Sequence, residues 1–475
     1  MPAPATRWVL FASVVTLALG GCRREGDVYL GSQGSPGLSA PDLDSELQGL
    51  LDAVAVHAPT PPPADSAALV ELGRALFFDP ILSGNQNISC ATCHHPLADT
   101  GDGLPVSIGE GGVGTSTVRT RGPGDAGHLI PRNAPHVFNL GVEGADVMFW
   151  DGRVSRHPQT GDLQTPEPAL NGPSPAAAEI VAQLDSALAA QAMFPVTSRE
   201  EMRGQPGTSA VADAATNLEI WQLLMERLVG TNNGTSGGLA GYRSLFQAAY
   251  PGVVDFDDFN FGHAAKAMAA FERALWTSLN TPFDRFLLGE VDAMSDAAKR
   301  GAILFYGTAQ CATCHSGPLL SDFQHHALAS PQVGPGKLEP SEDRGRALVT
   351  NDTLDNYKFR TPLLRNVALT GPWLHSGAYT TLEGVVRHHL DCVGSLSSYD
   401  PTQLPALFEP TYDGDANRNA ARSLAVAPEL AAPLTLTDAQ VRDLLDFLQA
   451  LTDPDMLILT RDLPDSVPSG LPLHD

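Results

Sequence analysis

Cys90-Ala-Thr-Cys93-His94 and Cys311-Ala-Thr-Cys314-His315 are one pentapeptide written twice. Cys-x-x-Cys-His is the attachment pattern of c-type haem, in which two thiols add to the porphyrin vinyl groups and the adjoining His reaches the iron. A zinc knuckle or a redox Cys-x-x-Cys would use the same thiols, but neither needs a His directly after both copies. The pattern predicts two covalent haem c groups, held at Cys90, Cys93, Cys311 and Cys314, with His94 and His315 as iron ligands. The protein's share of such chemistry is to set ligands, access and electron paths.

Each copy follows a helix. Ser66 is placed to cap one, with Leu69, Leu72 and Leu76 on a single face, and Ser295 to cap another running through Lys299 to Tyr306. A helix leading into the same motif twice is an internal duplication, so the chain is expected to be mainly α, with two cytochrome c-like haem domains. The 45 Gly and 38 Pro add long ordered loops. Residues 262–279 read as an apolar helix. Thr437 to Gln440 is a capping box opening a last helix with Val441, Leu444, Leu445, Leu448 and Leu451 as its apolar stripe.

The start of the chain addresses a compartment. Arg7 precedes an apolar run from Trp8 to Leu19, and Leu19-Gly-Gly-Cys22 is similar to a lipobox, whose Cys is lipidated after cleavage. An ordinary cleaved signal with an incidental Cys22 is the alternative. The expected division is 1–21 signal peptide of lipoprotein type, 22–64 tether, 65–285 N-terminal haem domain, 286–460 C-terminal haem domain and 461–475 tail. The mature protein is expected in the periplasm, lipid-anchored to a bacterial membrane, the outer membrane first. Of six Cys, only Cys392 has no assigned role, so no structural disulfide is expected; three residues after His389, it is expected on the same helix. A formal net charge of −25 argues against nucleic acid and allows steering of a basic redox partner.

Further motifs lie in order along residues 68–455: Leu76-Phe-Phe-Asp-Pro80, Pro105-Val-Ser-Ile-Gly109, Arg132-Asn-Ala-Pro135, Phe149-Trp-Asp-Gly-Arg153, Glu201-Met202, Asp343-Arg-Gly-Arg346 and Leu364-Arg-Asn-Val-Ala-Leu-Thr-Gly-Pro-Trp-Leu-His-Ser-Gly377. With the two haem motifs, they resemble the bacterial di-haem cytochrome c peroxidases, a family that includes the MauG-type oxidases. The resemblance implies that peroxide reacts at the N-terminal haem and that the C-terminal haem passes electrons. It makes Trp150 the residue between the haems, Gln191 the distal amide and Glu201 the distal acid, with Glu200 as the rival in register. It also implies a Ca²⁺ site at Asn133, Thr370 and Pro372, a His near the second haem at His375, and a homodimer.

Three departures from the family pattern stand out. Many members carry a distal His sixteen residues after the first haem-binding His; here that position is Glu110, a possible distal residue but a poor iron ligand, or an exposed side chain. An open first haem is therefore expected. Where the family has Met or Tyr as sixth ligand of the second haem, this chain has His389, with His388 beside it as the alternative. About thirty extra residues separate Trp150 from Gln191, with an expected helix over 174–192, and the segment from His389 to Thr437 is also long. Three functions compete. One is hydrogen peroxide reduction with electrons from a small periplasmic donor, a cytochrome c or cupredoxin. Another is peroxide-driven oxidation of a protein partner. The third is plain electron carriage, which needs a cap on the first iron, for which His157 is the candidate.

Overall fold

The computed structural model describes residues 40–125, 127–338 and 340–473. The signal peptide and Cys22 lie outside the described residues. Helices dominate: α1 (Ala40–Ala53), α2 (Ala67–Phe78), α3 (Ala187–Ala192), α4 (Phe261–Leu275), α5 (Asp296–Tyr306), α6 (Leu382–Leu390) and α7 (Asp438–Gln449) carry the argument below. Strands are two or three residues long: β1 (Val147–Met148), β2 (Val154–Arg156) and β3 (Leu163–Gln164) form one antiparallel sheet, β4 (His325–Ala327) and β5 (Lys358–Arg360) another.

The helix starts follow from side chains that satisfy the first free N–H groups. Ser66 accepts from Leu69 N–H at 3.2 Å, Ser295 from Ala298 N–H at 3.1 Å, and Thr437 from Gln440 N–H at 3.3 Å. The duplication reappears in the packing. A side chain at Gly73 of α2 would put Cβ 1.9 Å from the Ala267 carbonyl oxygen of α4; one at Gly301 of α5 would put it 1.8 Å from that of Asp443 in α7. Each haem motif is thus preceded by a helix that crosses a later one backbone to backbone, a contact only glycine permits. One hydrophobic core gathers around α2 and α4, with Phe77, Phe78, Phe271 and Trp276 edge to face; another gathers around α5 and α7, with Phe283, Phe305 and Phe447.

Four sequence expectations need correction. The stretch expected to be tether is helical over α1, where Leu43, Leu47 and Leu51 are buried and Lys299 of α5 pairs with Asp44 at 2.6 Å. Leucines four apart make a stripe that a helix can bury, so this segment belongs to the folded body. The expected tail folds back on the first core: Arg74 donates to the Asp462 and Leu463 carbonyls, Trp276 Nε1 to Asp462, and Ser469 Oγ to Asp79 at 2.6 Å. The helix expected over 174–192 is two, Ala178–Val181 and α3, because Ser186 caps a fresh start by accepting from Ala189 N–H. Cys392 does not share a helix with His389, since α6 ends at Leu390 and Asp391 caps the next helix, Cys392–Ser397.

Candidate active site

Cys90 and Cys93 occupy one helical turn, with reciprocal Ser89 and Thr92 side-chain bonds at its start. Beside it opens a cavity of about 220 Å³ whose lining includes Cys90, Cys93, His94, Trp150, Gln191 and Glu201. The His94 Nδ1 lies 3.2 Å from the Thr100 carbonyl oxygen. A carbonyl can only accept, so Nδ1 carries the proton and Nε2 keeps its lone pair for a metal. Burial above all pushes the thiols of Cys90, Cys93 and Cys311 up to about 12. Thiols raised in this way are poor nucleophiles and poor thiolate ligands, which disfavours the redox and zinc readings of the first motif, where both thiols are raised.

The second motif has a partner across from it. His315 Nδ1 donates to the Leu320 carbonyl at 3.1 Å and His389 Nδ1 to the Val385 carbonyl at 2.8 Å, so both rings keep Nε2 free. Their centroids stand 6.4 Å apart. Metal–imidazole bonds of about 2 Å leave room for one iron between them. His388 is committed elsewhere: Nδ1 lies 3.0 Å from Tyr379 Oη and Nε2 2.8 Å from the Leu328 carbonyl. The residues at both motifs therefore fit covalently held haem, with an open face at His94 and a second imidazole at His315.

Glu201 reaches the first cavity from a wide helical turn, Arg199–Arg203, capped by Ser198. Burial is the main force raising its carboxyl above the usual range; Arg153 and Lys337 pull it down, and Glu200 and Asp151 push it back up. Glu200 is exposed at the rim, and it is Glu201 whose charge acts on Cys90 and Cys93. Gln191, in the last turn of α3, lines the same space. Glu110 does not. It is 8% exposed, and its Oε1 accepts from Asn85 at 2.8 Å and from Asn87 at 2.9 Å. It is thus neither a distal group nor an exposed one, because two amides satisfy it away from the cavity. His157 is exposed and outside the lining.

Trp150 lines both this cavity and a smaller one of about 50 Å³, and its Nε1 donates to the Asn133 carbonyl at 2.9 Å. Asn133, Thr370 and Pro372 meet at the smaller cavity, where Asn133 Nδ2 is spent on the Leu104 carbonyl. Its lining contains no carboxylate but includes Arg360. His375 is buried and stacked on Phe359 at 3.5 Å.

Sequence reasoning missed two buried groups at the first cavity. Glu272 of α4 lines it with Oε2 unpartnered, and burial pushes its carboxyl up to about 8. Its one legible trace is an acid on the helical stripe shared by Met268 and Ala265. Arg360 lines both cavities and is buried with carbonyls as its hydrogen-bond partners; burial brings its guanidinium down to about 10, and among the described residues no carboxylate pairs with it. A buried cation of this kind calls for an anion, such as the carboxylates a haem carries on its edge.

Residues 67–292 match the family model described as di-haem cytochrome c peroxidase. The chain is 32% identical over 324 residues to the methylamine utilization protein MauG of Methylorubrum extorquens, spanning 68% of each chain. It is 30% identical over 319 residues to the cytochrome c551 peroxidase of Pseudomonas aeruginosa, spanning 66% of this chain and 70% of that one. Among solved structures it resembles a MauG-like protein associated with microbial copper homeostasis, with a TM-score of 0.55 at 25% identity over 84% of this chain and 95% of that one.

Proposed function

Because the chain belongs to the di-haem cytochrome c peroxidase family, we propose that it reduces hydrogen peroxide to water at the N-terminal haem, with electrons delivered through the C-terminal haem. The observation that carries this reading is the meeting of Glu201 and Gln191 with His94 around one cavity while Glu110 is tied away from it. Haem iron, when bound there, supplies the centre at which peroxide is taken up and its O–O bond broken. Glu201 is placed to carry a proton from the near peroxide oxygen to the far one, the transfer that lets water leave; burial raises its carboxyl above the usual range, which favours the proton-bearing form. Gln191 offers an amide N–H to an oxygen in the cavity. His315 and His389 would hold the second iron, and the lack of a thioether ligand favours a low potential there. Asn133, Thr370 and Pro372 would hold Ca²⁺ through neutral oxygens and water alone, so binding there is weak.

A second reading is peroxide-driven oxidation of a protein partner. It is favoured by His389 standing where an electron-collecting haem would carry Met, and by Trp150 lining both cavities. The donor in the first reading is a small periplasmic cytochrome c or cupredoxin, met at a membrane to which Cys22 tethers the chain. Among the described residues no helix is long and apolar enough to cross a membrane. EPR of the fully oxidised holoprotein tests the open site: one high-spin and one low-spin haem are expected, and two low-spin haems refute it. Glu201→Gln should slow peroxide turnover by about 10²–10⁴-fold with both haems retained, and unchanged turnover removes Glu201 from the mechanism.

A further inference from the structure

The peroxide reading leaves the long segment after α6 without a task, yet that segment completes an aromatic chain starting at the second haem site. The His388 ring is 6.1 Å from that of His389, Tyr379 is 5.1 Å from His388, Tyr399 is 5.6 Å from Tyr379, and Tyr412 is 4.9 Å from Tyr399. Tyr379 is 5% exposed, while Tyr399 and Tyr412 are half-buried. The chain therefore runs from the iron site out to the surface.

The hydrogen bonds give Tyr379 a direction. Leu328 supplies a carbonyl to His388 Nε2, so Nε2 holds the ring proton and Nδ1 is an acceptor. The Tyr379 hydroxyl consequently donates to His388 Nδ1 at 3.0 Å, and it accepts from Ser395 Oγ at 2.6 Å. For packing beside Leu404 and Phe408 a phenylalanine would serve as well and bury no hydroxyl. A buried phenol aimed at an imidazole acceptor is instead the arrangement for losing an electron and a proton together.

We propose that Tyr379 is a redox-active side chain, an inference that rests on the peroxide reading for its oxidant. The phenol gives one electron toward the His315–His389 site, filling an oxidising equivalent that hydrogen peroxide delivered, and passes its proton to His388 Nδ1, leaving a neutral phenoxyl radical. The radical takes an electron back across Tyr399 and Tyr412, which act as a bridge without changing protonation, from a one-electron donor of the phenol class at the surface, and recovers its proton from His388.

The test is freeze-quench EPR on the fully oxidised holoprotein after addition of hydrogen peroxide. A tyrosyl signal is expected, split when fluorotyrosine is placed at position 379 and lost in Tyr379→Phe, with haem content checked by absorbance. Tyr357→Phe, a tyrosine bonded to Glu342 outside the chain, should retain it. A parallel arm oxidises the same holoprotein with photogenerated ruthenium(III) tris-bipyridine, which needs no peroxide chemistry. Peroxide consumption with no tyrosyl signal, or a signal that ignores the label at 379, overturns the relay and leaves the peroxide reading standing. An inert response to peroxide with a signal split by that label in the ruthenium arm overturns the peroxide reading and leaves the relay standing.

Discussion

Replacing Gly109 with alanine should disable the site by moving Glu201 from outside the cavity. A Cβ at Gly109 would lie 1.8 Å from the Glu200 carbonyl oxygen. Ordinary contact begins near 3.4 Å, so one of the two backbones must yield by about 1.6 Å. The 109 loop is held fast: Gly109 N–H donates to the His128 carbonyl at 2.8 Å, and Arg119 donates to the Ile108 and Gly109 carbonyls at 2.6 and 2.8 Å. The turn Arg199–Arg203, which carries Glu201, is tied to that loop by the Glu110 N–H, which donates to the Glu200 carbonyl at 2.9 Å, so a displacement at this contact is passed to Glu201. Gly109 does not sit in the left-handed region, so alanine brings a clash and no backbone penalty. Misplacing a reacting group by about 1 Å can cost on the order of 10²-fold in rate, and overpacking typically costs about 1–3 kcal/mol in stability. Stopped-flow mixing with hydrogen peroxide should therefore show about 10²-fold slower reaction, with both haems attached and a modestly lower melting temperature. The double variant with Glu201→Gln should be no slower than Glu201→Gln alone, because both changes remove one function. Gly49→Ala, which meets nothing within 4 Å, should leave the rate unchanged. Parental rates in Gly109→Ala, or additive losses in the double variant, would refute the claim that this contact positions Glu201.

Other outcomes follow from the same structure. His389→Ala should turn the second haem high-spin by EPR, whereas His388→Ala should leave it low-spin, since His388 already spends both ring nitrogens; the reverse result moves the ligand to His388. Leu47→Ala should destabilise the body by about 2–5 kcal/mol, because this α1 side chain is fully buried; an unchanged thermal melt would mean that α1 is not part of the fold. Burial pushes the Asp413 carboxyl up, but hydrogen bonds from Arg418 and Arg422 outweigh it and bring it to about 2. A depressed carboxylate stabilises fully above its unfolded value and loses that contribution as pH falls toward 2. Asp413→Asn should therefore lower the melting temperature at pH 7 and flatten its decline below pH 4; equal acid profiles for parent and variant would exclude the ion pair as the cause.

What could be read from the letters was local. Ser66, Ser295 and Thr437 cap their helices through atoms three residues away, and the stripe from Val441 to Leu448 is a property of one helix, which stops short of the expected Leu451. The haem motifs are local too: five residues name the cofactor. The rest depended on which distant atoms arrive. Glu110 looked like a distal group by register, but its carboxylate is claimed by Asn85 and Asn87, 25 and 23 residues earlier, and nothing near it in sequence says so. His388 and His389 are adjacent letters about 100° apart around a helix; the carbonyl of Leu328 and the hydroxyl of Tyr379 take one, and the face opposite His315 takes the other. Arg360 is the limiting case. An arginine at the end of a three-residue strand reads as solvated, and it becomes informative only once burial removes water and no acid among the described residues replaces it. Composition cannot show that deficit, because it is a statement about what is missing around one charge. The residues that assign a site here are thus those whose polar groups are either claimed elsewhere, as in His388 and Glu110, or left short of a partner, as in the Oε2 of Glu272 and the charge of Arg360, which no acid among the described residues pairs.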